Sequence, residues 1–364
     1  MVAQNKELRR ELKRKQRAEL EFPDFGEIKE GQPTELVAGV YQLKMPLKMA
    51  LSHINVYLLA DGDGWYIVDT GLPNQESRQY WQHLANTFFN NRPVKGIICT
   101  HFHYDHAGLA PFLMELFDAP VWMTMGEYYT LRSLAVEDRE KRVQAQTQFL
   151  LKQGMPNDMV DKVAKTCRHD PFVSFVPSHF NRLCEQQTFV IGGRKWTVKI
   201  GRGHSPEHAC LFSAGEQNLL LAGDQVLPDI SSNIFVSDTE PFADSLSQWF
   251  ASLSSLQLLP TDTLVLPSHG KAFINLHARV EQLQQHHQSL LETILQEANK
   301  IEQFNAYQAM NWLFPQIKNA VDSMLAQSET LAHLNYLCTN NKIKRVPSNQ
   351  HVLMYTTRTR AGTF

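Results

Sequence analysis

Three imidazoles and a carboxylate crowd into six residues of this chain: His101, His103, Asp105 and His106, within the string CTHFHYDHAG at 99–108. In extended backbone, residues two apart point to the same side, so the rings of His101 and His103 can reach one cation. Asp105 and His106 fall where the chain must turn into a helical stretch, and a carboxylate beside an imidazole suits a second cation. Further candidates stand far off in the sequence: His204 in GRGHSPEH, Asp224 at the end of NLLLAGD, and His269 in LPSHG. A pair of cations can acidify a shared water from about 15.7 toward about 7, which supplies a nucleophile without any Ser or Cys.

His204, Asp224 and His269 each follow an apolar run and are flanked by Gly or Pro, the pattern of a loop leaving a strand. VKGIICT (94–100) reads as a strand buried on both faces, delivering the 101–106 string to the C-terminal edge of a sheet, where open α/β sheets place ligands. Before it, HINVYLLA (53–60), the turn DGDG and WYIVDTG (65–71) predict a hairpin. QESRQYWQHLANTFFN (75–90) predicts a helix with Tyr80, Leu84 and Phe88 on one face. A second strand set spans 186–223, DTLVLP (262–267) closes it, and a long helix carrying His286 and His287 follows. The stretch from about Glu127 to Arg168 is rich in helix formers, broken at GMPND (154–158), and reads as a helical insertion between two αβ halves.

With HxHxDH at 101–106, a His after the middle strand, an Asp ending a Gly-Asp strand and a late His in that order, the chain resembles the metallo-β-lactamase-fold metallohydrolase superfamily over about residues 36–290. The resemblance implies an α/β fold, an αββα four-layer sandwich with a dinuclear site. By position it implies that His101, His103 and His204 hold one metal, that Asp105, His106 and His269 hold the other, and that Asp224 bridges them. Asp69 in VDTG matches the superfamily's first motif, an orienter of ligands. A set of five His and two Asp without thiolate suits Zn²⁺ first, with Fe or Mn compatible. The diiron oxygen-reducing branch has Glu where His103 stands, so hydrolysis is expected over redox chemistry. The expected nucleophile is a bridging hydroxide, with Asp105 and Asp224 as catalytic carboxylates and Asp105 able to pass a proton to the leaving group. RGHSPEHACLF is similar to the GHTPGH segment of the glyoxalase II and thioesterase-like branch, with Glu207 in place of Gly.

Around this centre, His53, Tyr104, Tyr128, Tyr129 and Arg132 are candidate pocket residues, for which packing is the alternative. His208, His286 and His287 read as orienting, packing or surface residues. No separate organic cofactor is expected.

The division expected is a charged arm over 1–35, a catalytic domain over 36–300 and a winged-helix-like region over 301–364, where helices are followed by two short strand-like runs. The first 17 residues carry seven basic groups (Lys6, Arg9, Arg10, Lys13, Arg14, Lys15, Arg17) against Glu7 and Glu11, a net of +5. After Glu329 there is no acidic residue, whereas Lys342, Lys344, Arg345, Arg358 and Arg360 are basic. With 35 Lys+Arg against 37 Asp+Glu the whole chain has no global field for nucleic acid, so such binding would have to be local to that tail. Five scattered cysteines without a CxxC pair fit free thiols in a reducing compartment. The first residues lack an apolar core and no run of about 18 apolar residues occurs, so a cytoplasmic protein without a membrane role is expected.

Three functions remain open on these observations. The first is a hydrolase of a small thioester, ester or lactone, whose acyl substrate sits under a roof made by the helical insertion. The second is a metal-dependent endoribonuclease or phosphodiesterase using the basic tail. The third is a metal-binding interaction or sensor protein without turnover. A homodimer is compatible with all three.

Overall fold

The computed structural model describes residues 11, 14–47, 51–90, 92–168, 176–317, 319–346 and 351–357. Lys6, Glu7, Arg9, Arg10, Lys13, Arg358 and Arg360 lie outside that set. The described chain divides into two compact units. Unit 1 takes residues up to 136 together with 172–232 and 252–282, and unit 2 takes 137–171, 233–251 and everything from 283 onward.

Unit 1 is built on two sheets. The first orders β1 (Thr34–Val37), β2 (Val40–Pro46), β3 (His53–Asp61), β4 (Gly64–Val68), β5 (Val94–Ile98), β6 (Val121–Met123) and β7 (Asn181–Arg182) as sequential neighbours. The turn between β3 and β4 is the predicted Asp-Gly hairpin, with Asp61 paired to Gly64. From β4 on the pairs turn parallel, which needs helical crossovers. Those are α1 (Gln75–Asn86), α2 (Tyr104–Ala107) and α3 (Ala110–Phe117), followed by α4 (Met125–Val136). The second sheet orders β12 (Leu264–Pro267), β11 (Leu219–Gly223), β10 (His208–Ser213), β9 (Arg194–Gly201) and β8 (Thr188–Ile191).

The alternating side chains of both sheets explain how they stack. Tyr57, Leu59, Val68 and Ile98 from the first sheet meet Trp196, Val198, Leu211, Leu221 and Leu266 from the second in one buried layer. The opposite face of the first sheet, with Ile54, Val56, Leu58 and Ile97, is covered by Trp81 and Leu84 of α1, Leu113 of α3 and Leu131 of α4. The α1 helix stops at Asn86, short of the expected residue 90, because Phe88 and Phe89 leave the helical path to pack on Trp65. The arm is docked from Arg14 on: Leu20 is buried, Glu21 bridges Ile274, and Arg17 pairs with Asp229.

Unit 2 takes most of the helical insertion. Its second and third helices, α5 (Arg139–Lys152) and α6 (Asn157–Arg168), bury Leu150, Met155, Val160 and Val163 against Tyr307, Ala320 and Met324 of the C-terminal segment. They build a core with that segment, and of the helical insertion expected over about 127–168 only α4 lies in unit 1. The helix α7 (Ser245–Leu256) and the long α8 (Leu276–Ala298) each run across a boundary between the units. The C-terminal region places β13 (Phe304–Asn305), α9 (Ala306–Leu313), α10 (Ala320–Thr339), β14 (Lys344–Val346) and β15 (Met354–Thr356) in that order, its strands forming a small antiparallel sheet. No helix among the described residues is long and apolar enough to cross a membrane.

Candidate metal centre

The site lies where strands of both sheets end. Because β4 and β5 run parallel with Val68 opposite Ile98, Asp69 and Thr100 emerge side by side at one edge. In the second sheet β11 and β12 are likewise parallel, Gly223 facing Pro267, so Asp224 and His269 leave their strands together. Four hydrogen bonds stitch that edge to β3. Asn55 Nδ2 donates to the carbonyls of Pro267 and Gly270 at 2.9 Å each, Tyr57 Oη donates to Pro267 O at 2.8 Å, and Asn55 N donates to Ser268 O at 2.7 Å.

All seven residues singled out as ligands converge. One ligand atom from each of His101, His103, His204 and Asp224 falls within 4.8 Å of the others, and the same holds for Asp105, His106 and His269. Asp224 spans the two groups: its Oδ2 is 3.6 Å from the Nε2 atoms of His204 and His106, and its Oδ1 is 3.5 Å from Nε2 of His269. His101 Nε2 stands 2.8 Å from His103 Nδ1 and 3.3 Å from His204 Nε2. Asp105 Oδ2 lies 3.4 Å from His269 Nε2 and 3.6 Å from His106 Nε2.

These residues fit a pair of cations by their own unsatisfied chemistry. His106 Nε2 and Asp224 Oδ1 are fully buried and have no hydrogen-bond partner, an arrangement that costs on the order of 1–3 kcal/mol unless something else occupies the space between them. Burial, reinforced by neighbouring imidazoles, holds His101 well below the usual imidazole range and His103 near 3, so both rings keep a lone pair at neutral pH. Burial also opposes charge on His106, but the carboxylates of Asp105, Asp69 and Asp224 outweigh it and hold the ring well above its ordinary value. Burial would raise Asp224, yet His269, His106 and His204 pull it well below the carboxylate range. The pocket asks for positive charge.

Ring orientation is set by a surrounding layer of acceptors. Asp69, at φ +64°, accepts from Thr100 N at 2.8 Å, from the Thr100 hydroxyl, and from His106 Nδ1 at 2.8 Å. With its proton given to Asp69, the Thr100 oxygen is left to accept from His101 Nδ1 at 3.1 Å, which leaves Nε2 of that ring as the acceptor. The carbonyl of His53 does the same for His269 Nδ1 at 2.9 Å. The His53 ring, lowered by burial to about 4, is occupied with Ser52. His208, read from sequence as an orienting or packing residue, accepts from the backbone N–H of Asp224 at 3.0 Å.

Glu127 is the residue that sequence reasoning missed. Its buried carboxylate accepts from Phe102 N at 3.0 Å, Ser205 Oγ at 2.7 Å and Glu207 N at 2.7 Å, joining the loop of His101 and His103 to the loop of His204. Glu207 reciprocates: its carboxylate accepts from Gly126 N at 2.8 Å, at the positive end of α4. Of the pocket candidates, Tyr128 is buried, stacked on Phe180 at 3.9 Å with its hydroxyl on Pro177 O, and Arg132 reaches that same hydroxyl. Tyr128 is a packing residue, whereas Arg132 is exposed. Tyr129 is exposed and Tyr104 half-buried.

The basic tail is partly spent inside unit 2. Arg345 donates to Asn335 Oδ1 at 2.6 Å and lies 4.6 Å over the Phe242 ring, while Lys342 and Lys344 are exposed.

Comparison with known proteins agrees with the geometry. The metallo-beta-lactamase superfamily pattern matches residues 50–269, and the metallo-beta-lactamase-like C-terminal domain matches 291–358. A beta-lactamase domain protein from Burkholderia ambifaria superposes with a TM-score of 0.86 at 33% identity, over 94% of this chain and 99% of that one. A probable metallo-hydrolase of Bacillus subtilis, YqjP, is 26% identical over 82% of this chain and 92% of its own length. A hydroxyacylglutathione hydrolase from Shewanella halifaxensis is 24% identical over 62% of this chain and 64% of its own. With the family pattern covering more than half of its length and the His/Asp clusters in place, the chain belongs to the metallo-beta-lactamase superfamily.

Proposed function

We propose that this protein is a dinuclear metal-dependent hydrolase of a small thioester, ester or lactone, with Zn²⁺ as the first choice of metal. The observation that carries the reading is Asp224, whose carboxylate lies 3.6 Å from His204 of one ligand set and 3.5–3.6 Å from His106 and His269 of the other, the position of a bridging ligand. Two cations held there would acidify a shared water and polarise the scissile carbonyl. His101, His103 and His204 would hold the first, Asp105, His106 and His269 the second. Asp105, the more solvent-accessible of the two site carboxylates, is placed to hand a proton to the leaving group. Asp69, Thr100 and the His53 carbonyl keep the rings in register while charge changes beside them. An acyl substrate accords with the hydroxyacylglutathione hydrolase and the carboxyl ACP thioesterase named among the relatives.

The test is turnover by the metal-loaded protein on acyl thioesters, aryl esters and lactones, beside a phosphodiester and an RNA oligonucleotide. Metal-dependent cleavage of a carbonyl substrate, lost in Asp224→Asn, is expected. Cleavage of only the phosphate substrates, or of none by a fully loaded protein, overturns the proposal.

A further inference from the structure

A second constellation of metal-binding side chains lies wholly within unit 2. His286 and His287 on α8 and Glu329 on α10 each offer one ligand atom, all within 4.8 Å of one another. Histidine neighbours on a helix diverge by about 100°, so two of them meeting one carboxylate is a specific arrangement.

What separates this group from a chance cluster is the layer behind it. His333 Nδ1 donates to the carbonyl of Glu329 at 2.7 Å, one helical turn back, so the Nε2 of His333 must be an acceptor. His287 Nδ1 stands 3.2 Å from that Nε2 and therefore carries the proton, which makes Nε2 of His287 the ring's lone-pair atom. That relay fixes the tautomer a ligating histidine requires. Glu329 is held as well: Asn233 Nδ2 donates to its Oε2 at 3.1 Å. Trp249 and Phe250 wall the His287 ring edge-on at 6.5 and 6.3 Å, while His286 is exposed and opens the site to solvent.

We infer that His286, His287 and Glu329 form an accessory site for a divalent cation of the zinc class, tying α8 to α10 and separate from the seven-residue centre. Two imidazoles and one carboxylate are borderline donors that favour Zn²⁺ over Mg²⁺ or Ca²⁺, and three protein ligands leave a position for water. An ion held by the folded unit and not by the unfolded chain raises the melting temperature as its concentration rises.

The experiment is zinc stoichiometry of the full chain by elemental analysis after equilibrium dialysis, for the wild type, His286→Asn and Glu329→Gln. Each variant is expected to bind one equivalent less, to lose part of the zinc-dependent rise in melting temperature, and to keep its hydrolytic rate. Equal stoichiometry in all three proteins overturns the inference. Should the variants fail to fold, zinc-edge anomalous diffraction from wild-type crystals decides: a peak between the three side chains supports the site, and its absence with zinc present at Asp224 overturns it.

Discussion

The carboxylate of Asp69 lies 2.8 Å from Nδ1 of His106, and this contact settles which nitrogen of a fully buried ring faces Asp105 and Asp224. Asp69 holds a left-handed backbone, φ +64°, that L residues other than Asn and Asp seldom adopt, and it spends both oxygens on Thr100 and His106. Replacing it with Ala removes the orienting acceptor and strains the backbone together. Metal affinity, read by chelator competition, should fall about 10–100-fold in Asp69→Ala. Asp69→Asn, which tolerates the same φ, should lose less.

Asp105 and Asp224 should separate by function. Asp105→Asn is expected to lower kcat by roughly 10²–10⁴, the usual weight of a proton-transfer group, in a protein that stays folded. Asp224→Ala removes the carboxylate shared by both ligand sets, and elemental analysis should find metal missing as well as activity. Equal metal loss in the two variants would count against the division of roles.

Burial pushes the Glu127 carboxyl up to about 7 despite three hydrogen-bond donors that work against the shift. A carboxyl raised above its unfolded value of about 4.5 binds protons more tightly in the native state, so stability should decline as pH rises from about 4.5 to 7. The slope reaches about 1.4 kcal/mol per pH unit for one group. Chemical denaturation across that window should show a decline in the metal-free wild type that Glu127→Gln lacks. Parallel curves for the two proteins would contradict the assignment.

Gly223 sits at φ +51° immediately before Asp224, and a Cβ there would stand 2.4 Å from the His208 ring. Gly223→Ala must push aside the imidazole that accepts from Asp224 N. An overpacked, strained variant is expected to lose about 1–3 kcal/mol of stability, with reduced metal retention, as read by urea unfolding and elemental analysis.

The centre was legible from sequence wherever a local rule governs it. The two-residue spacing of His101 and His103 translates directly into rings on one side, and Asp224 and His269 announce themselves at the ends of apolar strands. Glu127 gave no such signal: it is one acidic residue in a helix-forming stretch, and its role depends on Phe102 and Ser205 arriving from other segments. The helices α5 and α6 were visible as helices, but an amphipathic face does not say which partner will cover it, and theirs chose Tyr307 and Met324. The short end of α1 has the same origin, since Phe88 and Phe89 pack on Trp65 instead of extending the helix.

The clasp of Asn55 and Tyr57 on Pro267, Ser268 and Gly270 has a bearing on how the protein matures. Each half of the chain brings an incomplete set of donors, and His269 reaches the others only once this clasp has closed. A complete donor set for the ions thus depends on the two halves having met, and loosening Asn55 is expected to make the protein lose metal at temperatures below its melting point.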